Sequence, residues 1–252
     1  MKKVISVFLS LAMVLTMFTA VPLTASAETY TTTIDGITYE IDTETSEAEV
    51  DDAESSITTA NILSEVDGYS VTSIGYRAFY YCDSLTAVTI PDSVTSIGYS
   101  AFSDCTSLTT VTIPDSVTSI GDNAFEYCYK LKQVHIKNLS SWFKIDLNLD
   151  NTPFKYDADL YMDNQVVTDL IIPDDVTEIK DYALYNCKSL KSVNIPENVT
   201  SIGDKAFGYY NNNKIDNFTI YGYDDSSAEI YANDNGFKFV SLNPIPETTT
   251  TT

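Results

Sequence analysis

Two consecutive stretches of this chain are near copies: residues 85–107 read LTAVTIPDSVTSIGYSAFSDCTS and residues 108–130 read LTTVTIPDSVTSIGDNAFEYCYK. Ile90-Pro91 returns as Ile113-Pro114, and Ile172-Pro173 returns as Ile195-Pro196, each time after 23 residues. A fixed period in the twenties marks a solenoid, in which each repeat is one coil and a core exists only between stacked coils.

Within the unit, the apolar positions are Leu85, Val88, Ile90, Val94, Ile97, Ala101, Phe102 and Cys105. Their spacing fits neither a sustained helical stripe nor one long alternating strand, so each coil reads as two short β segments. Pro91 lacks an N–H and ends the first. Gly98, with Gly75, Gly121 and Gly203, is expected to supply a backbone angle that a side chain resists, leading into a short helical turn at Ala101-Phe102. One such unit buries too little apolar surface to offset the entropy of ordering it. Each coil must therefore lay its apolar row on its neighbours and hydrogen-bond to them in a parallel sheet.

The pattern LxxVxIPxxVxxIGxxAFxxCxxL resembles the BspA-like leucine-rich repeats of bacterial surface and secreted proteins. Two units fit at nearly every position, and with edited copies the resemblance spans roughly residues 57–242. It implies a curved right-handed solenoid used for adhesion or protein interaction, with no catalytic motif. The expected fold is a leucine-rich repeat solenoid, β-rich with short helical turns, its parallel sheet built from stacked coils of about 23 residues. An N-terminal β-hairpin cap and a C-terminal helix-strand cap close the ends.

Residues 1–27 carry Lys2-Lys3, an apolar run and then Ala25-Ser26-Ala27, the pattern of a cleaved secretory signal. Residues 28–56 read as the N-terminal β cap: Ile37, Tyr39 and Ile41 alternate with polar residues after an Asp35-Gly36 turn, and an acidic run follows as hairpin tip or partner strand. Residues 57–214 hold six coils. The coil opening at Leu131 is degenerate and extends to Val166, closing with a hairpin through Asp163-Asn164. The coil at Val167 has Lys180 where glycine is expected and Leu184 where phenylalanine is. Residues 215–242 form the C-terminal cap, with a Ser226-x-x-Glu229 capping box and Gly236 as helix stop. Residues 243–252 are a Thr-rich tail or linker.

Without Lys2 and Lys3 the chain has 12 basic and 36 acidic residues, a charge of about −24 that repels nucleic acid and anionic membrane. No second long apolar segment exists to span a bilayer once the signal is removed. The expectation is a secreted or cell-surface monomer whose partner is an extracellular protein or a glycan.

The four cysteines, Cys82, Cys105, Cys128 and Cys187, share one slot of the repeat. Equivalent side chains in stacked coils project in parallel, so they read as a ladder of buried thiols; oxidation of Cys82 to Cys105, or of Cys105 to Cys128, is the alternative. Their spacing does not suit zinc. His135 is the single histidine, points outward by alignment, and has no nucleophile assigned to it. No metal, cofactor or catalytic set is expected.

What remains is surface. Outward strand positions make two rows: Thr89, Thr112, His135, Ile171, Asn194 and Thr219, beside Ala87, Thr110, Gln133, Asp169, Ser192 and Asn217. They are the candidate ligand-facing sheet, and a merely soluble β-surface is the alternative. The degenerate coil offers Trp142, Phe143, Phe154 and Tyr156 as a secondary edge patch, unless these fold inward to replace the missing core residues. The function read from the sequence is a non-enzymatic interaction or adhesion module; a structural spacer or accessory domain of a larger extracellular assembly is the rival.

Overall fold

The computed structural model describes residues 28–243, so the expected secretory signal and the expected tail after Asn243 lie outside the described residues. Among the described residues no helix is long and apolar enough to cross a membrane.

The chain opens with three antiparallel strands, Thr29–Ile34, Ile37–Asp42 and Glu47–Ala53. Asp35 and Gly36, both at positive φ, make the two-residue turn. Ile37, Tyr39, Ile41, Ala48 and Val50 point to one side and are buried. The third strand then pairs in parallel with Tyr69–Ile74, which converts the antiparallel cap into a solenoid. The acidic run is therefore partner strand as well as tip.

From here each coil is tied to the next along three lines. On the front, Thr59–Asn61, Ala87–Thr89, Thr110–Ile113 and Gln133–Ile136 pair in parallel and in register. On the second side, Tyr69–Ile74, Ser96–Ile97 and Ser119–Ile120 do the same. The third line runs through the turn that follows glycine. There the amides of Arg77, Phe79 and Tyr81 donate to the carbonyls of Tyr99, Ala101 and Ser103, at 2.7–3.0 Å. Ser100, Phe102 and Asp104 repeat the pattern onto Asp122, Ala124 and Glu126. Backbone that would otherwise be orphaned in a turn is thus paired between coils.

The core is one continuous column. Phe79, Phe102 and Phe125 stack with centroids 5.0 and 5.4 Å apart and near-parallel rings. All four cysteines are free and buried. The Cys105 and Cys128 thiols donate to the carbonyls of Phe79 and Phe102, each at 3.1 Å. Burial pushes Cys82 up to about 11 and Cys128 up to about 12, which holds them as neutral thiols.

The glycines work differently from the expectation. Gly75, Gly98, Gly121 and Gly203 do not have positive φ; the left-handed positions are two residues later, at Arg77, Ser100, Asn123 and Lys205. What the glycines permit is close approach of coils. A Cβ on Gly98 would lie 2.7 Å from the Gly75 carbonyl carbon, and one on Gly121 only 2.5 Å from the Tyr99 amide nitrogen. This explains Lys180. The excursion before it supplies no second-side strand, and Glu178–Ile179 pairs only with Ser201–Ile202 of the following coil. With no strand to crowd, a side chain is tolerated, and the turn survives with Tyr182 at positive φ.

The degenerate segment is not one coil. Asp159–Met162 continues the front sheet as its fifth parallel strand, placing Asp159, Leu160 and Tyr161 beside Gln133, Val134 and His135. It turns back through Asp163 and Asn164, both at positive φ, and pairs with Gln165–Val166. A second parallel sheet then starts with Asp169–Ile171 and continues through Ser192–Asn194, Thr219–Gly222 and Lys238–Ser241.

The seam between the two stacks is sealed by side chains standing in for missing coil-to-coil amides. In the regular coils, Ile74 and Ile97 carbonyls accept from the amides of Gly98 and Gly121. The Ile120 carbonyl has no such glycine above it and accepts from Asn151 Nδ2 at 3.0 Å instead. On the far side, the Ala183 carbonyl would receive the amide of a preceding phenylalanine; Trp142 Nε1 supplies that hydrogen at 3.0 Å. The short helix Leu139–Trp142, capped by the Asn138 side chain, aims the indole.

At the C-terminus, helix Ser227–Asn235 packs on the last coils and stops at Gly236, which is left-handed at φ 62°. Neither bond of the expected capping box forms. Ser226 Oγ makes no cap bond, and the Glu229 carboxylate accepts from the Asp225 amide rather than from that of Ser226.

Gly121→Ala should cost about 1–3 kcal/mol, because a methyl must displace the backbone beneath it. Lys180→Ala should leave the melting temperature nearly unchanged, since only an exposed ion pair with Glu178 is lost. Thermal unfolding of both variants checks this; equal losses would contradict the close-approach role. Asn151→Leu leaves the buried Ile120 carbonyl without a donor and should cost about 1–3 kcal/mol, so an unchanged melting curve would remove the seam role.

Candidate binding face

The front sheet displays two outward columns in strict register. One runs Asn61, Thr89, Thr112, His135 and Tyr161; the other runs Thr59, Ala87, Thr110, Gln133 and Asp159. Thr89 and Gln133 are exposed, while Thr110, Thr112 and His135 are half-buried by their neighbours. The His135 ring stacks on Tyr161 at 5.0 Å, and Nε2 lies 3.3 Å from Gln133 Oε1. Burial lowers the His135 pKa, so the ring is neutral at pH 7 and its stacking is aromatic rather than ionic.

The structure redraws the expected rows. The neighbours of His135 and Gln133 are Tyr161 and Asp159; Ile171 and Asp169 open the second sheet instead. Asp169 is exposed there and its carboxylate accepts from Ser192 Oγ at 2.6 Å and Thr168 Oγ1 at 2.8 Å, which lowers its pKa. Asn194 pairs with Tyr221 and Ser192 with Thr219, so the strand Thr219–Gly222 is shifted two residues from the expected alignment. The shift follows from the extra residues of the Tyr209–Tyr210 and Asn213–Lys214 hairpin just before it. Thr219 is consequently buried, and Asn217 sits in the preceding turn at φ 60° rather than on the sheet. Neither belongs to the face.

The secondary patch does not exist as a surface. Trp142, Phe143 and Phe154 are buried, with Trp142 edge-on to Phe154 at 5.6 Å and Phe143 edge-on to Phe207 at 6.3 Å. They fill the core where the excursion lacks the repeat's own phenylalanine. Tyr156 is half-buried and donates its hydroxyl to Glu126 at 2.7 Å, which together with burial drives its pKa far up.

Threonines of the repeat divide their work. Thr86, Thr109, Thr95 and Thr118 each donate a hydroxyl to a carbonyl one coil earlier, at 2.8–3.3 Å. Such hydroxyls are partly spent on coil-to-coil bonding. None of these four threonines stands in the two outward columns, whose departures from threonine on the last two strands are Gln133, His135, Asp159 and Tyr161, with the Asp159 carboxylate already accepting from the Ser189 amide at 3.0 Å.

Sequence reasoning passed over one group. On the turn edge, Tyr76, Tyr81, Tyr99, Tyr127 and Tyr129 are all exposed, Tyr76 to 62%. The signal was available: of 18 tyrosines, Tyr76 and Tyr99 directly follow the repeat glycine, and Tyr81 and Tyr127 directly precede the repeat cysteine. Among the described residues no group of three or more His, Cys, Asp or Glu side chains is placed to hold a metal ion.

The model of the BspA type leucine rich repeat region matches in six copies, over residues 54–148 and 157–246. No curated protein matches the chain. Among solved structures, a leucine-rich repeat protein of T. pallidum is 22% identical, with 84% of this chain and 98% of that one covered at a TM-score of 0.49. One from Bacteroides capillosus is 32% identical over 53% of this chain and 98% of its own, with a TM-score of 0.45. One from Bacteroides ovatus is 26% identical over 77% and 56%, with a TM-score of 0.44. The six-fold match, laid over coils that stack in the register described above, makes this chain a member of the BspA-type leucine-rich repeat family.

Proposed function

We propose that the protein is an extracellular, non-enzymatic interaction module that binds a protein or a glycan through its front sheet. The observation that carries this reading is the pair of register-locked columns on five parallel strands. A rigid array of side chains at a spacing of about 4.8 Å presents many weak contacts already ordered, so little entropy is lost when a partner lands on it. Family membership supports an interaction role, and the secretory pattern of residues 1–27 supports the extracellular location. Among the described residues no nucleophile, base and orienting group converge on the face, where the side-chain partners of His135 are Gln133 and Tyr161.

The hydroxyl ladders from Thr86, Thr109, Thr95 and Thr118 favour a second reading, in which the solenoid is a stiff spacer within a larger extracellular assembly. The two separate experimentally. The mature protein is immobilised and passed over a panel of extracellular-matrix proteins and a glycan array, beside a Thr112→Arg, Gln133→Arg double variant. Retention of at least one probe by the wild type, weakened about tenfold or more in the double variant at unchanged melting temperature, is the expected result. Retention of nothing, or equal retention by both, favours the spacer.

A further inference from the structure

From the turn edge of the first coils we infer a second interaction surface, distinct from the front sheet, that docks an arginine-rich basic polypeptide segment on Tyr76, Tyr80, Tyr81, Tyr99 and Tyr127 around Asp104.

The tyrosines form one strip because the turn ladder aligns them. Tyr81 hydrogen-bonds through its amide to the Ser103 carbonyl, and the Asp104 amide bonds to Glu126, so Tyr81, Asp104 and Tyr127 occupy successive rungs. Tyr76 and Tyr99 stack at 5.6 Å with an interplanar angle of 11°, and Tyr80 meets Tyr81 edge-on at 4.4 Å.

Three independent features point to a ligand. The first is exposure of rings that the fold does not need. Tyr81 and Tyr127 sit at φ 60° and 59°, left-handed positions where a bulky residue is disfavoured. Sister coils place Asp104 and Asn186 in the same slot, so the turn itself does not call for an aromatic. Exposed side chains kept at a local conformational cost are a mark of surfaces that do something other than fold.

The second is charge. Between Glu28 and Tyr129 there are 18 carboxylates and a single basic residue, Arg77, whereas every lysine of the mature chain lies at or beyond Lys130. The field over this half of the molecule therefore attracts cations and repels anions. An acidic or neutral partner gains nothing from it.

The third is that the molecule already shows the contact. The Arg77 guanidinium lies over the Tyr76 ring at 5.1 Å and over the Tyr80 ring at 4.5 Å. Both are within the range of a cation–π interaction, which a planar guanidinium makes by stacking. Among the described residues no cation lies over Tyr81, Tyr99 or Tyr127, so the strip continues past Arg77 with exposed rings of the same kind that carry no cation, and with Asp104 between two of them. An incoming arginine-rich segment extends the pattern that Arg77 begins.

The probe is a fluorescein-labelled peptide of five Arg-Gly repeats, titrated by anisotropy against the mature protein, with a Lys-Gly peptide of equal charge as control. Tyr81→Asn, Tyr99→Ser and Tyr127→Asn combined leave net charge unchanged, and asparagine suits the left-handed positions. This triple variant should bind the arginine peptide about tenfold or more weakly, Tyr127→Asn alone about threefold, and the lysine peptide should bind the wild type more weakly than the arginine one. Thr112→Ala with His135→Ala, on the front sheet, should bind as the wild type does; loss there would overturn the separation of the two surfaces. Affinity of Tyr127→Asn or of the triple variant within about twofold of wild type, or equal binding of the two peptides, would reduce the interaction to bulk charge and overturn the inference. So would displacement of the arginine peptide by a neutral glucose hexamer.

Discussion

Coil-to-coil hydrogen bonding through the turn is the constraint on which the rest depends. A parallel sheet on the front could be built from many sequences, but a 23-residue coil must also bring its backbone around without leaving buried amides and carbonyls unpaired. The turn ladder from Arg77, Phe79 and Tyr81 to the coil above does this, and it demands that successive turns lie nearly in contact. That contact excludes a Cβ at Gly98 and Gly121. It also stacks Phe79, Phe102 and Phe125 and leaves a buried slot in which the cysteines sit. The cysteine ladder follows from that slot, with the Cys105 and Cys128 thiols reaching the carbonyls of Phe79 and Phe102 below.

The seam shows the same constraint from the other side. When the chain departs from its repeat after Ile136, the carbonyls on both faces of the gap still need donors, and no backbone amide is in place. Asn151 and Trp142 supply side-chain N–H groups at the two positions, Ile120 and Ala183, where regular coils would offer main-chain ones. The aromatic-rich excursion is thus an adaptor joining two stacks. Its polar atoms are as much part of the core as its rings.

What could be read from the sequence divides along the same line. Where the period holds, identity of position implies identity of environment, so burial of Val88, Val111 and Val134, the thiol ladder and the outward direction of Thr89 and Thr112 were all legible. The period says which residues are equivalent and is silent on why, so the glycines were assigned a turn conformation when they serve proximity, a property of two coils that one coil cannot reveal. Where the period fails, alignment has nothing to hold. Asp159–Met162 is hidden as an extra strand because its coil lacks the Ile-Pro mark, and alignment misplaces the strand Thr219–Gly222 by two residues through the hairpin of Tyr209–Tyr210 with Asn213–Lys214. Trp142 could not be paired with Ala183, 41 residues away, from any local signal.

Equivalence also bears on where recognition resides. Residues that every coil repeats are committed to the neighbours above and below: the isoleucines to the core, the glycines to contact, and Thr86, Thr95, Thr109 and Thr118 through their hydroxyls to the preceding carbonyl. A partner that bound only these would bind any coil equally and gain no register. Register comes from positions where one coil differs from the next, and on the front these cluster at Gln133, His135, Asp159 and Tyr161, beside the seam. On the turn edge the differences are the alternation of Tyr81, Asp104 and Tyr127 in one slot. The repeat supplies stiffness and spacing, and its departures supply chemistry, so two surfaces with different chemistry can occupy one solenoid without competing for the residues that hold it together.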